Sequence, residues 1–362
     1  MVVFKQKQNE MNDFMKFFLM LFFISCTHNS LKEGNGKVTK YSYSDFKSIE
    51  VNSILIDSIS DYLEFPGRTY LADTLLIILD WKSETPIHVI DIQKDKYFGG
   101  YGKKGNGPGE LTSPFNITSF ENNFLMLTDA MQKKNVIYNL DSLMIKNNHL
   151  FEKKFNPNGS VGFVEYYDNN FFYIDEANTQ NKRLYKINGD NKFPEIEGFG
   201  KIPTLLSKSE PDFVKAQAAD VIMKSRNEKF VLAYKLSPRI EIFDYEKNKW
   251  KTSLSPKDFE INYKVNNIEG FEVMALSEKT LNAYIDIDLS DNFIYALFSE
   301  DELFKESMPS SNTIYVYDYN GKPVKKFKLD KKISYLNVYK DSIIYGIHND
   351  IKAELIKFDI KK

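Results

Sequence analysis

Ile314-Tyr315-Val316-Tyr317-Asp318-Tyr319-Asn320-Gly321-Lys322-Pro323-Val324-Lys325-Lys326-Phe327 reads as a strand, an Asn-Gly turn and a second strand. β-Branched and aromatic residues fill both runs, and Asn-Gly supplies the positive φ that a tight hairpin turn needs. The same form recurs at 87–91, 136–141, 184–189, 240–244 and 355–359, where a short β run ends on Asp91, Asp141, Asn188, Asp244 or Asp359. Each copy is preceded by a more apolar run, at 75–79, 124–127, 171–174, 230–234, 293–297 and 343–345. The step between the two is nearly constant in five of the six units. The fifth unit carries an insertion, 299–312, of charged, Pro- and Ser-containing loop character.

Self-similar β units at a period of roughly 40–50 residues signal a propeller. The expected fold is therefore all-β, a six-bladed β-propeller over residues 46–362 with one short helical insertion. Four-stranded blades around a channel leave few exposed edges. The sixth unit reaches residue 362 without an outermost strand, so a strand at 46–51 or 53–56 is expected to complete it and tie the ring shut. Two segments break the period. Residues 210–224 read as a short amphipathic helix with Pro211 in its first turn. Residues 255–289 form a longer excursion, within which 271–276 is expected to be the inner strand of blade five.

Composition agrees with β structure and excludes several function classes. Aromatic residues make up 15% of the chain, net charge is -2 and the pI is about 6.2. No basic face stands out, so nucleic acid is not expected as a partner. One cysteine excludes an internal disulfide and argues against a Cys-based zinc site. The four histidines, His28, His88, His149 and His348, are scattered without metal-ligand spacing. No metal and no cofactor is expected.

The amino terminus carries its own signal. Residues 17–24 are an apolar run preceded by Lys16, too short to span a membrane and suited to a signal-peptide core. The run ends Phe23-Ile24-Ser25-Cys26, which resembles the bacterial lipobox. Residues 1–26 are read as a signal peptide, Cys26 as the lipid-attachment residue, and 27–45 as a flexible tether. The expected location is the cell envelope, lipid-anchored to a bacterial membrane, the outer membrane by preference.

The densest glycine run, 99–111, has the Gly100, Gly102, Gly105 spacing of a dinucleotide loop but precedes no helix. The pattern of Gly102, Gly105, Gly107, Pro108, Gly109, Glu110, Leu111 and Pro114 instead resembles the inter-blade turn of NHL-type propellers. Together with the paired runs at 230–234 and 239–244 and at 293–297 and 321–323, it is similar to the TolB-like six-bladed propeller lipoproteins of Bacteroidetes. The resemblance implies a cell-envelope lipoprotein and carries over no catalytic residue.

Chemistry is sparse. There is no Gly-x-Ser-x-Gly elbow and no histidine placed for a triad. Asp286 and Asp288 share one face of a strand by period two, read as a solvated face. The four arginines are Arg68, Arg183, Arg226 and Arg239. Those near blade strands are read first as surface ion pairs, with Arg68 and Arg239 as candidate ligand-binding residues for an anionic group. The function expected is binding or scaffolding of an envelope protein or small ligand. The alternative is a metal-dependent hydrolase or lactonase in the central channel, and a third reading is a sensor or accessory subunit of an envelope transport system.

Overall fold

The computed structural model describes residues 30–33, 36–121, 123–129, 131–146, 151–153, 161–175, 181–188, 195–203, 219–306 and 308–361, with 205, 211, 214, 215 and 217 as isolated positions. Cys26, the signal segment, His28 and His149 lie outside the described residues. Six sheets surround a central channel. Blade one comprises Pro66–Ala72, Leu75–Asp80, Ile87–Asp91 and Lys96–Tyr101 from the inside outward. Blade two runs Pro114–Ser119, Phe124–Asp129, Lys134–Asn139 and Phe151–Lys153, and blade three Val161–Tyr167, Asn170–Asp175, Lys182–Asn188 and Ile196–Lys201. Blade four is Val221–Arg226, Lys229–Tyr234, Arg239–Asp244 and Lys249–Leu254. Blade five is Tyr284–Leu289, Phe293–Phe298, Ser311–Asp318 and Pro323–Ile333. Blade six is Leu336–Tyr339, Ile343–Asn349 and Ala353–Asp359, with Ser53–Ile56 outermost.

The apolar runs are the second strands. Such a strand has a hydrogen-bonded neighbour on each side and another blade against each face, so both faces are buried and the alternation of a half-exposed strand disappears. Leu76, Ile77, Ile78 and Leu79 are all fully buried. The largest core cluster joins blades three, four and five, where the Phe172 and Phe230 rings stand 4.2 Å apart.

The hairpin turns work as the repeat implied, with a refinement. Gly321 alone of the Asn320-Gly321 pair takes a positive φ, +76°. Gly321 N donates to Asp318 O and Asp318 N donates to Lys322 O, both at 2.9 Å, which is a turn followed by a glycine bulge, longer than a two-residue hairpin. The Asp318 carboxylate also accepts from Asn320 N and Lys322 N. Asp91 and Asp244 accept backbone N–H groups of their own turns in the same way. In blade two this place falls to Asn139, which accepts from Ser142 N, and Asp141 belongs instead to the helix Leu140–Lys146. The glycine-rich segment is the turn from blade one to blade two, pinned by Gly107 N to Glu110 Oε2 (2.8 Å) and Leu111 N to Lys103 O (2.9 Å).

Ring closure is richer than a single strand. Ser53–Ile56 pairs antiparallel with Ala353–Asp359, as expected of the closing strand. Lys47–Val51 lies parallel along the outer strand of blade five, and Gly36–Lys40 parallel along that of blade four. Ser30–Glu33 folds back antiparallel on Gly36–Lys40. The amino-terminal segment thus covers three successive rims and pairs edges that would otherwise stay open. Of the stretch read as a tether, residues from Gly36 onward are fastened to the propeller.

Two expectations change. Phe271–Leu276 is not the inner strand of blade five; it pairs with Tyr263–Ile268 in a separate hairpin, and Tyr284–Leu289 takes the inner place. The helical segment ends near Ala219, whose N–H donates to Lys215 O, because Val221–Arg226 is drawn into the inner strand of blade four. β-Branched Val221 and Ile222 favour that strand.

Deleting residues 45–57 should remove the closing strand and expose the edge of blade six. The expected result in urea titration is a lower midpoint and a broadened, non-cooperative transition. A transition as sharp as that of the intact chain would show that closure does not depend on this segment.

Candidate functional site

The six inner strands meet in a polar ring. Arg68 of blade one donates to Asp286 of blade five at 2.8 Å, and both side chains are nearly enclosed. The other Asp286 oxygen accepts Leu336 N of blade six at 3.0 Å. Lys224 of blade four pairs with Asp288 at 2.8 Å, and Asp288 accepts Val338 N at 2.7 Å. Glu165 of blade three accepts the hydroxyls of Thr118 (2.9 Å, blade two) and Ser225 (2.8 Å, blade four). Every blade contributes, so the ring bolts the inner strands together. Charges withdrawn from water need such partners.

The structure therefore corrects the surface reading of these residues. Asp286 and Asp288 do share a face, but that face looks into the channel, and the Asp286 side chain is only 3% exposed. Arg226 is the one arginine in a largely exposed pair, with Asp291 at 2.6 Å. Arg68 reaches the channel, where its guanidinium lies 4.5 Å from the centre of the Phe163 ring and is committed to Asp286. Arg183 and Arg239 are buried between blades three and four around Glu241, at 3.3 and 3.4 Å. Tyr234 donates to the same carboxylate at 2.6 Å, and Arg183 packs 4.5 Å over its ring. They are buried because their strands turn that face toward the next blade.

Above the ring, where the inner strands begin, lies a cavity of about 710 Å³. Its base is formed by Arg68, Tyr284, Ile285 and Tyr335. Ile174, Lys182 and Arg183 of blade three and Lys235 and Leu236 of blade four make one wall; Leu303, Met308 and Pro309 of the blade-five insertion make another. Met274 and Leu276 of the additional hairpin cover it, and Met274 N donates to Gln217 Oε1 at 2.7 Å. Apart from its base the hairpin stands off the propeller, with Val265 and Ile268 exposed. The lining is mostly apolar and includes the adaptable side chains of Met274 and Met308, with Arg68, Lys182, Arg183 and Lys235 set against the carboxylates of Asp175 and Asp220, and it suits an apolar-bodied ligand. Arg239 is behind the wall and does not line the cavity.

Among the described residues no group of three or more His, Cys, Asp or Glu is placed to hold a metal ion. His88 is buried beside Tyr97, its Nδ1 2.7 Å from the Tyr97 hydroxyl, and burial lowers its pKa. His348 bonds the Lys332 carbonyl. Neither reaches the cavity. Sequence reasoning missed Glu165, Lys224 and Glu241, which look like ordinary strand polar residues until distant partners face them. It also missed the buried carboxylates Asp80 and Asp129. Each takes backbone N–H groups of the segment entering its blade, such as Glu64 N at 2.8 Å and Ser113 N at 3.0 Å. Their signal was present: each ends the apolar run of its unit.

Burial pushes the Glu165 carboxyl up to about 7, only partly offset by the Ser225 and Thr118 hydroxyls. A carboxyl raised on folding adds stability that is complete below its unfolded pKa, near 4.5, and is lost as pH rises through about 7. Glu165→Gln keeps an acceptor for both hydroxyls and cannot ionise. At pH 8.5 the variant should be more stable than the parent by up to roughly 3 kcal/mol, with little difference at pH 4.5. Urea midpoints at the two pH values test this; an unchanged pH slope would show that Glu165 does not titrate in this range.

The sequence and the fold place the chain among known proteins. Residues 42–341 match the family model described as TolB-like 6-blade propeller-like. No curated protein matches. A protein from Bacteroides fragilis NCTC 9343, designated an exported protein, shares the fold with a TM-score of 0.52 and 12% identity, over 90% of this chain and 99% of that one. The Swd1 β-propeller domain of Myceliophteria thermophila aligns over 82% of this chain and 97% of its own, at 7% identity and a TM-score of 0.44. The extracellular domain of a one-component system from B. thetaiotaomicron aligns over 80% of this chain and 32% of its own, at 12% identity and a TM-score of 0.41. Six blades around a closed ring and a family match across most of its length together establish that this chain belongs to the TolB-like 6-blade propeller-like family.

Proposed function

We propose that the protein is a lipid-anchored binding module of the bacterial cell envelope, tethered through Cys26, which takes an apolar-bodied ligand, or an apolar segment of an envelope partner, into the cavity at the mouth of its channel. The cavity itself carries the reading. It is large enough for a small molecule, it sits on a rigid ring, and Met274 and Leu276 of the projecting hairpin cover it. The carboxylates below it are occupied in holding blades together, which suits a scaffold. The lactonase alternative receives no support, because the described residues offer no metal-ligand cluster. Anchoring rests on the lipobox-like sequence at Cys26. No helix among the described residues is long and apolar enough to cross a membrane.

Met274→Asp places a charge in the cover without disturbing a blade. It should weaken binding of an uncharged apolar dye at least tenfold and leave the thermal midpoint within a few degrees of the parent. Equal dye affinity in the two proteins would show that the cavity is not the binding site. Cys26→Ala should move the protein from the membrane fraction to the soluble fraction; retention in the membrane would overturn the anchor.

A further inference from the structure

We infer that the outer rim of blade four, with the adjoining turn of blade five, is the face this protein turns toward the membrane, and that a lysine-lined cleft there binds anionic phospholipid headgroups. The inference rests on the anchoring through Cys26 proposed above. It concerns a surface separate from the cavity.

The reach of the chain favours this face. Ser30 pairs with Thr39, and Thr39 in turn pairs with Ser253 on the outer strand of blade four. Four residue steps separate Cys26 from Ser30. A fully extended chain gains about 3.3–3.6 Å per residue, so a lipidated Cys26 lies within about 14 Å of Ser30, which itself stands two strand spacings, roughly 10 Å, from the outer strand of blade four. The bilayer surface is then held close to blade four. The strap is closely seated: Gly36 has φ +114°, and a Cβ there would come 2.6 Å from the Trp250 carbonyl oxygen. Few residues other than glycine let the chain lie so near at that φ.

Charge favours the same face. Between the strap, the outer strand of blade four and the turn ending at Pro323 lies a cleft of about 1050 Å³, which Thr39 lines. Lys37, Lys249, Lys251 and Lys322 line it, against one acid, Asp45. The Asp45 carboxylate is taken by Ser42 N at 2.7 Å. Lys37, Lys249 and Lys322 are exposed, and Lys251 donates to Asn320 Oδ1 at 2.6 Å. No ion pair joins any of these four ammonium groups to a carboxylate among the described residues, whereas nearby Lys40, Lys247 and Lys257 pair with Asp258, Asp244 and Glu300. Unpaired lysines beside an anchor, on a chain whose net charge is -2, form a local positive face. An anionic leaflet attracts such lysines within about a Debye length, ~8 Å at physiological salt. In a six-membered ring blade one stands opposite blade four. The propeller accordingly rests on edge, with the blade-one glycine loop furthest from the lipid and the channel mouth opening across the membrane plane.

The test is amine acetylation footprinting of the full protein purified from membranes, read by mass spectrometry. It is compared in detergent micelles, in phosphatidylcholine vesicles and in vesicles containing phosphatidylglycerol. Lys37, Lys249 and Lys322 should lose at least threefold of their reactivity in phosphatidylglycerol vesicles, while Lys82 and Lys96 of blade one keep theirs. The combined variant Lys249→Glu, Lys251→Glu, Lys322→Glu should lose the difference between the two vesicle types at Lys37. Protection spread evenly over both rims, or a triple variant that keeps the lipid dependence, overturns the inference alone. The mass of the amino-terminal fragment separates the two ideas. A Cys26 without acyl chains overturns the anchoring reading, and the inference falls with it.

Discussion

A blade of this protein is apolar on both faces, and that constraint governs the rest of the structure. Leu76 and Leu79 are as fully buried as Ile77 and Ile78, so neither face of the strand is left to water. Such a sheet has no side to offer to solvent, and each blade therefore needs two neighbours. Six blades meet the requirement only by closing on themselves. The ring then needs a seam, and the seam lies in blade six, where Ser53–Ile56 pairs with Ala353–Asp359. The segments before it serve the same closure, since Lys47–Val51 and Gly36–Lys40 continue the belt along blades five and four.

Closure creates a second problem at the centre. Inner strands converge there, and their side chains are withdrawn from bulk water. Apolar residues alone would fill this space without fixing how far each blade rotates. Arg68 with Asp286, Lys224 with Asp288, and Glu165 with two hydroxyls fix it by directional bonds. Lys224 illustrates the balance: burial alone would lower its pKa, yet Asp288 and Asp286 outweigh burial and hold it raised. The result is a rigid floor under an apolar cavity, with polar groups already satisfied. A ligand entering the cavity meets Ile285, Leu236 and the methionines, and needs to displace none of the ion pairs beneath.

Insertions then supply what the ring lacks. The hairpin Tyr263–Ile268 with Phe271–Leu276 and the loop carrying Met308 and Pro309 stand on the face where the inner strands begin, and both line the cavity. The amino-terminal strap occupies another surface, the rim of blades four to six. Cavity and strap are thereby placed on different parts of one frame, and neither needs a change in the blades.

The number of blades, their second and third strands, the hairpin turns and the glycine-rich crossing are legible in the amino-acid order. Those features are local: apolar runs, an Asp that accepts its own turn's N–H groups, and glycines at positive φ each lie within a few adjacent residues. The short helical insertion was legible too, although its end was not, since Val221 and Ile222 follow the demands of blade four. The site was legible only in fragments. Arg68 is legible as a candidate ligand-binding residue, but its partner Asp286 is 218 residues away, and no local pattern specifies such a pairing. The same holds for Arg183, which meets Glu241 because two blades face each other, whereas Arg239 reaches Glu241 from two residues away on the same strand. It holds again for Phe271–Leu276, whose strand character was correct and whose sheet was not. A strand's propensity is carried by its own residues; which edge it joins, and which charge it meets, depends on the segments that the closed ring brings beside it.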